Sequence, residues 1–410
     1  QDTGLPPPDQ GPTTPRRRRG PPVFLSPAIS LLTFPPPFSI VSAMEKLSPG
    51  DIPRRLTEWY GRHRRDLPWR RTTDPYAIWV SEIMLQQTGV ETVVPFYERF
   101  MARFPAVEAL AEAPLDDVLK AWENLGYYGR ARNLHRAARI VVNEMGGRLP
   151  SDLSALLSLP GIGKYTAGAI LSMAFGKPVP ALDGNVRRVL SRLFALPEAV
   201  DRPAGAKILE ARAADLVPEE TPGTFNQSLM ELGALVCLPG TPRCPSCPLA
   251  SSCEGRRRGI QESLPVTSPK APLPTRTFVT ALLLSTDGRC LLVRRPEKGL
   301  LSGLWAFPTT AWNGADPVAW LEEQAASAIR EIEPLPAVRH AYSHFRAVVR
   351  PFLCRLGEAA PKMEARQGHA WIGFREFDRY ALSALDRKLL KNLLPWENGT
   401  ERPSERSGGP

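Results

Sequence analysis

The sequence predicts a multidomain chain in which an all-α domain is followed by a smaller α/β domain, and three observations lead there. From Met44 to Cys253, apolar residues recur at helical spacing in stretches of roughly 10–15 residues, parted by Pro or Gly. Beyond a proline-rich segment the period shortens to that of strands. Four of the six cysteines fall within residues 237–253, at the junction of the two regimes. A length of 410 residues suits two or three domains of roughly 100–200 residues each.

Residues 1–43 hold eleven prolines, the run Arg16–Arg19 and only two acids, and are expected to be a disordered extension. Their basic-then-apolar order resembles a targeting segment, but Pro35, Pro36 and Pro37 break the apolar part. Met44 stands directly before the first globular-looking text, so an extension upstream of the folded protein is favoured over a transit peptide. Helices are expected over 51–65, 75–88, 91–103, 115–124, 130–145, 152–158, 163–175, 184–194 and 204–216. Asp74-Pro75 marks one start, as N-cap and first-turn proline. Residues 254–275, with Arg256–Arg258 and then Pro265, Pro269, Pro272 and Pro274, read as a linker. Thr277–Ser285 and Cys290–Arg295 are strands joined through Asp287-Gly288, a hairpin signal. A helix over 317–330, strands at 337–340, 346–355 and 370–373, and a last helix at 381–394 complete the α/β domain, taken as 276–397 with a disordered tail at 398–410.

The net charge of +10 tilts toward an acidic partner such as nucleic acid, although no segment is a polycation. The longest apolar stretches fall short of the ~18 residues of a membrane helix, which excludes an integral helical membrane protein. Six cysteines in this length are too few for a disulfide scaffold, so a reducing compartment is expected: the cytoplasm first, an organelle second.

Cys237-x6-Cys244-x2-Cys247-x5-Cys253 places four thiols on a tight loop, where they suit either a [4Fe–4S] cluster or zinc. Leu159-Pro160-Gly161-Ile162-Gly163 joins two helical patterns as a hairpin. Gly161 and Gly163 would bring backbone close to a phosphate, with Lys164 adding a charge, although an ordinary glycine-rich turn looks the same. Glu82 sits among Trp79, Ile83, Met84 and Leu85, where burial would raise its pKa and keep it protonated as a general acid. Asp183 precedes a helix, whose dipole would keep it ionised. An exposed Glu82 and a plain N-cap Asp183 are the simpler readings. Together the two form the acid and carboxylate that glycosidic cleavage requires. Gln86-Gln87-Thr88 and Gly126-Tyr127-Tyr128 supply amide and flat side chains suited to a disturbed base stack.

Taken in order, Leu67-Pro68-Trp69, Ser81–Thr88, Leu125–Tyr128, the hairpin, Leu182–Asn185 and the four cysteines resemble the MutY-type adenine DNA glycosylases of the helix–hairpin–helix superfamily, from about residue 50 to 395. The resemblance implies a two-lobed helix–hairpin–helix glycosylase domain at 44–253 and a C-terminal Nudix-like domain that reads 8-oxoguanine. It implies a monomeric, monofunctional repair enzyme acting on double-stranded DNA with 8-oxoguanine:adenine or G:A mispairs. It makes Glu82 the acid at adenine N7 and Asp183 the stabiliser of the C1′ cation, flanked by Asn185 and Tyr165. Arg70 and Gln227 become adenine-pocket contacts. Gln87, Thr88, Leu125 and Tyr127 become duplex contacts, Tyr342-Ser343-His344 the lesion loop, and Cys237, Cys244, Cys247 and Cys253 the ligands of a [4Fe–4S] cluster.

Bifunctional relatives carry a lysine nucleophile where Tyr165 stands, with Lys164 one residue early. The Nudix hydrolase box, aligned on Glu322 and Arg330-Glu331-Ile332, leaves Pro334-Leu335 in place of paired metal-binding glutamates, so recognition without hydrolysis is expected. Asn124 replaces a glycine common before Leu-Gly-Tyr-Tyr, and Gly129 a small polar or Ala residue after it, which implies a looser wedge.

Overall fold

A computed structural model describes residues 51–269, 271–325, 327–360 and 368–393; the expected N-terminal extension and tail lie outside these residues. The helical part runs α1 (Asp51–His63), α2 (Pro75–Leu85), α3 (Val90–Arg103), α4 (Val107–Glu112), α5 (Leu115–Ala121), α6 (Gly129–Glu144), α7 (Leu153–Ser158), α8 (Lys164–Phe175), α9 (Gly184–Leu193), α10 (Pro203–Ala214), α11 (Pro222–Leu235) and the short α12 (Glu254–Arg257). Asp74 caps α2 as its sequence announces, accepting from the Tyr76 and Ala77 amides at 3.1 and 3.2 Å. Two hydrophobic cores divide the helices. One gathers α2–α8 around Trp79, Phe100 and Trp122. The other joins α1 to α9–α11 and the cysteine loop around Leu56, Leu190 and Phe225. The chain thus forms two lobes, with α1 returning to the lobe built by the later helices.

Three helices escape the sequence reading, among them α12, which lies in the segment read as a linker. α4 is only six residues long. α11 is buried on most of its surface, from Pro222 through Phe225 and Leu229 to Gly233. A helix buried nearly all round has no apolar stripe to betray its period. α2 is buried in the same way from Tyr76 through Met84, and it packs against α8, which is buried from Thr166 to Ser172.

The second part is a mixed sheet: β1 (Thr275–Leu284), β2 (Arg289–Arg294), β3 (Trp305–Ala306), β4 (Thr309–Ala311), β5 (Ile329–Pro334), β6 (Val338–Ala341), β7 (Arg346–Leu356) and β8 (His369–Gly373), with α13 (Val318–Ala325) and α14 (Ala384–Leu393). The main path is β3-β2-β1-β7-β5, with β1 and β7 parallel and the other pairs antiparallel. α14 covers one face with Phe307 and Leu353, and α13 the other with Leu283 and Leu356. The helix expected over 317–330 is corrected. α13 ends at Ala325, and Arg330-Glu331-Ile332 lies in β5, paired with β7. Arg330-Glu331-Ile332, on which the Nudix box is aligned, thus lies in a strand, and Glu331 faces Arg355 at 3.4 Å.

Gly168 shows how close the helices come. A Cβ built on it would lie 2.2 Å from the Pro180 carbonyl oxygen, in the segment that leads to Asp183. Gly168→Ala should therefore destabilise the protein by about 1–3 kcal/mol, read as a lower urea midpoint at unchanged slope.

Candidate active site

Between the lobes lies a cleft of about 1030 Å³ that gathers Arg70, Glu82, Gln87, Thr88, Tyr165, Asp183, Asn185 and Gln227. The packing of α2 on α8 buries Glu82 to 3% exposure and brings the Tyr165 hydroxyl to donate to its Oε2. Burial, strengthened by the charge of Asp183 and only partly offset by Tyr165 and Arg70, pushes the Glu82 carboxyl up to about 7.

Asp183 is the N-cap of α9. It accepts from the Val186 amide at 2.7 Å and from Asn185 Nδ2 at 2.8 Å. Burial raises it above the usual carboxylate value, although these donors and Arg188 pull it down. The dipole argument from sequence alone is corrected here: desolvation outweighs the helix terminus. Asp183 still has several donors where Glu82 has one, so it remains the better-supported anion.

Behind Asp183 runs a chain of contacts that the sequence did not reveal. Arg188 donates from Nη2 to Asn185 Oδ1 and the Gly233 carbonyl, both at 2.9 Å, and from Nε to the Cys237 carbonyl at 2.7 Å. Gly233 permits this, because a Cβ there would sit 2.5 Å from Asn185 Cβ. The far wall holds Glu231, fully buried, on which Arg65 and Arg70 converge at 2.6 and 2.9 Å. Burial would raise Glu231, but the two guanidinium groups outweigh it and hold the carboxyl at about 2. Both Nη groups of Arg70 are committed to this pair, and Gln227 accepts from the Tyr60 hydroxyl at 3.1 Å. The two expected pocket contacts thus line the cleft as parts of a braced wall. Glu231 and Gln227 escaped the helix reading because they ride on α11.

At the rim two loops meet on Arg130. Its Nη1 donates to the carbonyls of Ile83, Met84 and Gln86, and its Nη2 to Thr88 Oγ1 and the carbonyls of Leu125 and Gly126, each of these three at 3.1 Å. Gln87, Asn124 and Tyr127 all have positive φ, at 58°, 77° and 48°. Strained backbone of this kind gathers at functional sites. Asn124 adopts the left-handed region that glycine and asparagine tolerate best, which explains the exchange seen at that position. Arg130 thus ties together the two loops that flank the departures at Asn124 and Gly129. Tyr127 is 46% exposed, whereas Leu125 is buried at 5% in the core. The ring available to a duplex is therefore Tyr127; Leu125, expected beside it, packs inward. Tyr128 is likewise buried.

The hairpin turns at Gly161, with φ +82° and Asn133 Cβ 2.8 Å from where a Cβ would sit. Gly163 begins α8 with no side-chain cap, leaving backbone N–H groups for an outside acceptor. Lys164 is not turned to that acceptor but pairs with Glu210 at 2.9 Å. In the second domain Tyr342 is half-buried against Phe345, while Ser343 and His344 are exposed at the tip of the β6–β7 connection.

Cys237, Cys244, Cys247 and Cys253 line one small cavity with Val236, Pro242 and Arg192. Among the described residues no three His, Cys, Asp or Glu side chains are placed to hold a single ion. Four thiols around one cavity are a donor set that either an iron–sulfur cluster or a tetrahedral zinc would take. Arg192, buried, closes the cavity, with Nη1 3.5 Å from Cys237 Sγ and further bonds to the carbonyls of Leu238, Gly240 and Leu264.

Residues 80–218 match the model of the HhH-GPD superfamily base excision DNA repair protein, and residues 279–392 that of the NUDIX domain. The adenine DNA glycosylase of Homo sapiens is 34% identical over 417 residues, covering 86% of this chain and 76% of that protein. That of Buchnera aphidicola subsp. Acyrthosiphon pisum is 32% identical over 339 residues, covering 82% of this chain and 96% of its own. That of Mycolicibacterium smegmatis is 46% identical over 209 residues, covering 51% and 70%. A cleft holding two buried carboxyls, one protonated near neutral pH and the other supplied with several donors, in a helical domain joined to a NUDIX-like one, accords with these likenesses, and the chain belongs to the adenine DNA glycosylase family of base excision repair enzymes.

Proposed function

We propose that this protein is a monofunctional glycosylase that removes adenine paired with 8-oxoguanine, or with guanine, from double-stranded DNA, with domains at 44–253 and 276–397 joined by a linker at 254–275. The observation that carries the reading is the Glu82 carboxyl, held near pKa 7 beside Asp183 in one cleft. Adenine flipped into the cleft presents N7 to Glu82, which gives up its proton. The C1′–N9 bond breaks with its electron pair leaving on the protonated base. Asp183, oriented by Asn185 and the Val186 amide, stabilises the resulting cation. Water adds at C1′ and its proton returns to a carboxylate. Tyr165 orients Glu82 through its hydroxyl.

Among the described residues that line the cleft none is a lysine, which accords with hydrolysis without a Schiff base. Lys164 is held on the outside by Glu210. Gly161, Gly163 and the capless start of α8 would hold a backbone phosphate, with Gln87, Thr88 and Tyr127 on the lesion side. The exposed Ser343-His344 tip would read 8-oxoguanine. Cys237, Cys244, Cys247 and Cys253 would hold a [4Fe–4S] cluster, which when bound supplies an electron-transfer-capable brace for the loop.

Glu82→Gln should slow adenine release by about 10²–10⁴-fold while duplex binding is kept, measured in single turnover beside a gel-shift titration. Because Glu82 acts protonated and Asp183 ionised, the wild-type rate should fall as pH rises through about 7 and fall again in acid, as Asp183, raised by burial, takes up a proton. Purified protein should contain iron and acid-labile sulfide in equal amounts and no zinc; zinc alone would sink the cluster assignment. His344→Ala should lower the rate preference for 8-oxoguanine:adenine over G:A by about tenfold.

A further inference from the structure

The two domains meet at the loop that carries Tyr127. Leu382, in the extended segment before α14, has both of its backbone groups engaged by side chains of the helical domain. Its N–H donates to Glu123 Oε1 at 3.3 Å, and its carbonyl accepts from the Tyr128 hydroxyl at 3.1 Å. That hydroxyl also accepts from the Asn124 amide at 3.3 Å, so one oxygen links the second domain to the left-handed residue that sets the loop. Glu123 is 8% exposed and receives Arg387 from α14 at 2.8 Å and Lys120 at 2.5 Å. Leu304 and Ala381 of the second domain are buried in the core of the first lobe.

The same helix α14 reaches the exposed tip. Lys388 donates to the Arg339 carbonyl in β6, the strand that runs into Tyr342-Ser343-His344. On the other side, Arg130 carries the Leu125 and Gly126 carbonyls to those of Ile83 and Met84 in α2, one residue from Glu82. A continuous set of hydrogen bonds and packed elements therefore runs from the tip, through α14, to the Tyr127 loop and the acid.

We propose that Glu123, Tyr128 and Arg387 form an interdomain latch that positions the Tyr127 loop according to how the C-terminal domain is seated, and so makes adenine release sensitive to the opposing base. They are positioning residues: none of them lines the cleft. Glu123 is buried and costly to leave unpaired, so the latch has a well-defined closed state. A hydroxyl shared between a strained loop and a second domain transmits displacements that a flexible linker would absorb. This rests on the reading of the substrate above.

The test uses the full chain and the variants Arg387→Gln, Arg387→Lys and Tyr128→Phe. Single-turnover rates are measured on 8-oxoguanine:adenine and G:A duplexes, with amide hydrogen exchange over residues 122–130 of the free protein. Arg387→Gln should lower the ratio of the two rates by about tenfold with the G:A rate unchanged, and Arg387→Lys should restore part of it. Tyr128→Phe, which keeps the buried ring, should lower the ratio as well. Both Arg387→Gln and Tyr128→Phe should speed exchange at residues 124–127. Equal slowing on both duplexes, or an unchanged ratio in Arg387→Gln, overturns the latch. If the wild type does not distinguish the duplexes, the substrate reading fails by itself. Exchange then decides the latch: unchanged protection at residues 124–127 in Arg387→Gln rejects it, and faster exchange retains it.

Discussion

The burial of one carboxyl is the constraint from which the rest of the site follows. Glu82 lies in a helix apolar enough to be enclosed along its length, and the neighbouring helix returns a tyrosine hydroxyl to it. A charged carboxylate there would be costly, so the group keeps its proton close to neutral pH. The enclosure depends on backbone contact between α8 and the 180–181 segment, which Gly168 permits. That same segment delivers Asp183 to the cleft. One close approach thus places both carboxyls, and their different hydrogen-bond supply separates their protonation.

Around this pair, arginines do the positioning. Arg130, Arg188 and Arg192 each spread a planar guanidinium over several carbonyls, joining loops that have no regular structure of their own. Arg65 and Arg70 do the same for Glu231. Together these five residues connect the rim loops, the cap of α9, the cysteine loop and the far wall. Loops carrying a site need such bracing, since chemistry that depends on alignment loses much of its rate to small displacements. The brace at Arg130 also explains how three non-glycine residues hold positive φ beside the cleft.

The second domain is seated on the first through buried contacts, and this decides what its exposed tip can influence. Glu123, a carboxylate in a nearly closed interface, is satisfied only when Lys120, Arg387 and the Leu382 amide are all in place. Tyr128 follows Tyr127 in the chain but points the opposite way, into the interface, so adjacent rings serve different surfaces.

Much of the domain plan and chemistry was legible in the chain because it is written in short-range patterns. The Asp74-Pro75 start of α2, the Asp183 cap, the hairpin glycines and the cysteine spacing each depend on residues a few positions apart. α11, enclosed nearly all round, went unread, and with it Glu231, whereas the equally enclosed α2 was legible from its Asp74-Pro75 start. The 317–330 segment read as one helix because its apolar spacing does not record where the sheet claims Ile329–Pro334. Only the tertiary structure decided that Asp183 is raised by burial, that Leu125 packs inward, and that Arg65 meets Glu231 166 residues away. The sequence by itself determined which residues could cap, turn, ligate or give up a proton, since those capacities are local. Which charges face each other, and how dry each one is, came from packing between distant segments, because desolvation and long-range pairing have no counterpart in a linear pattern.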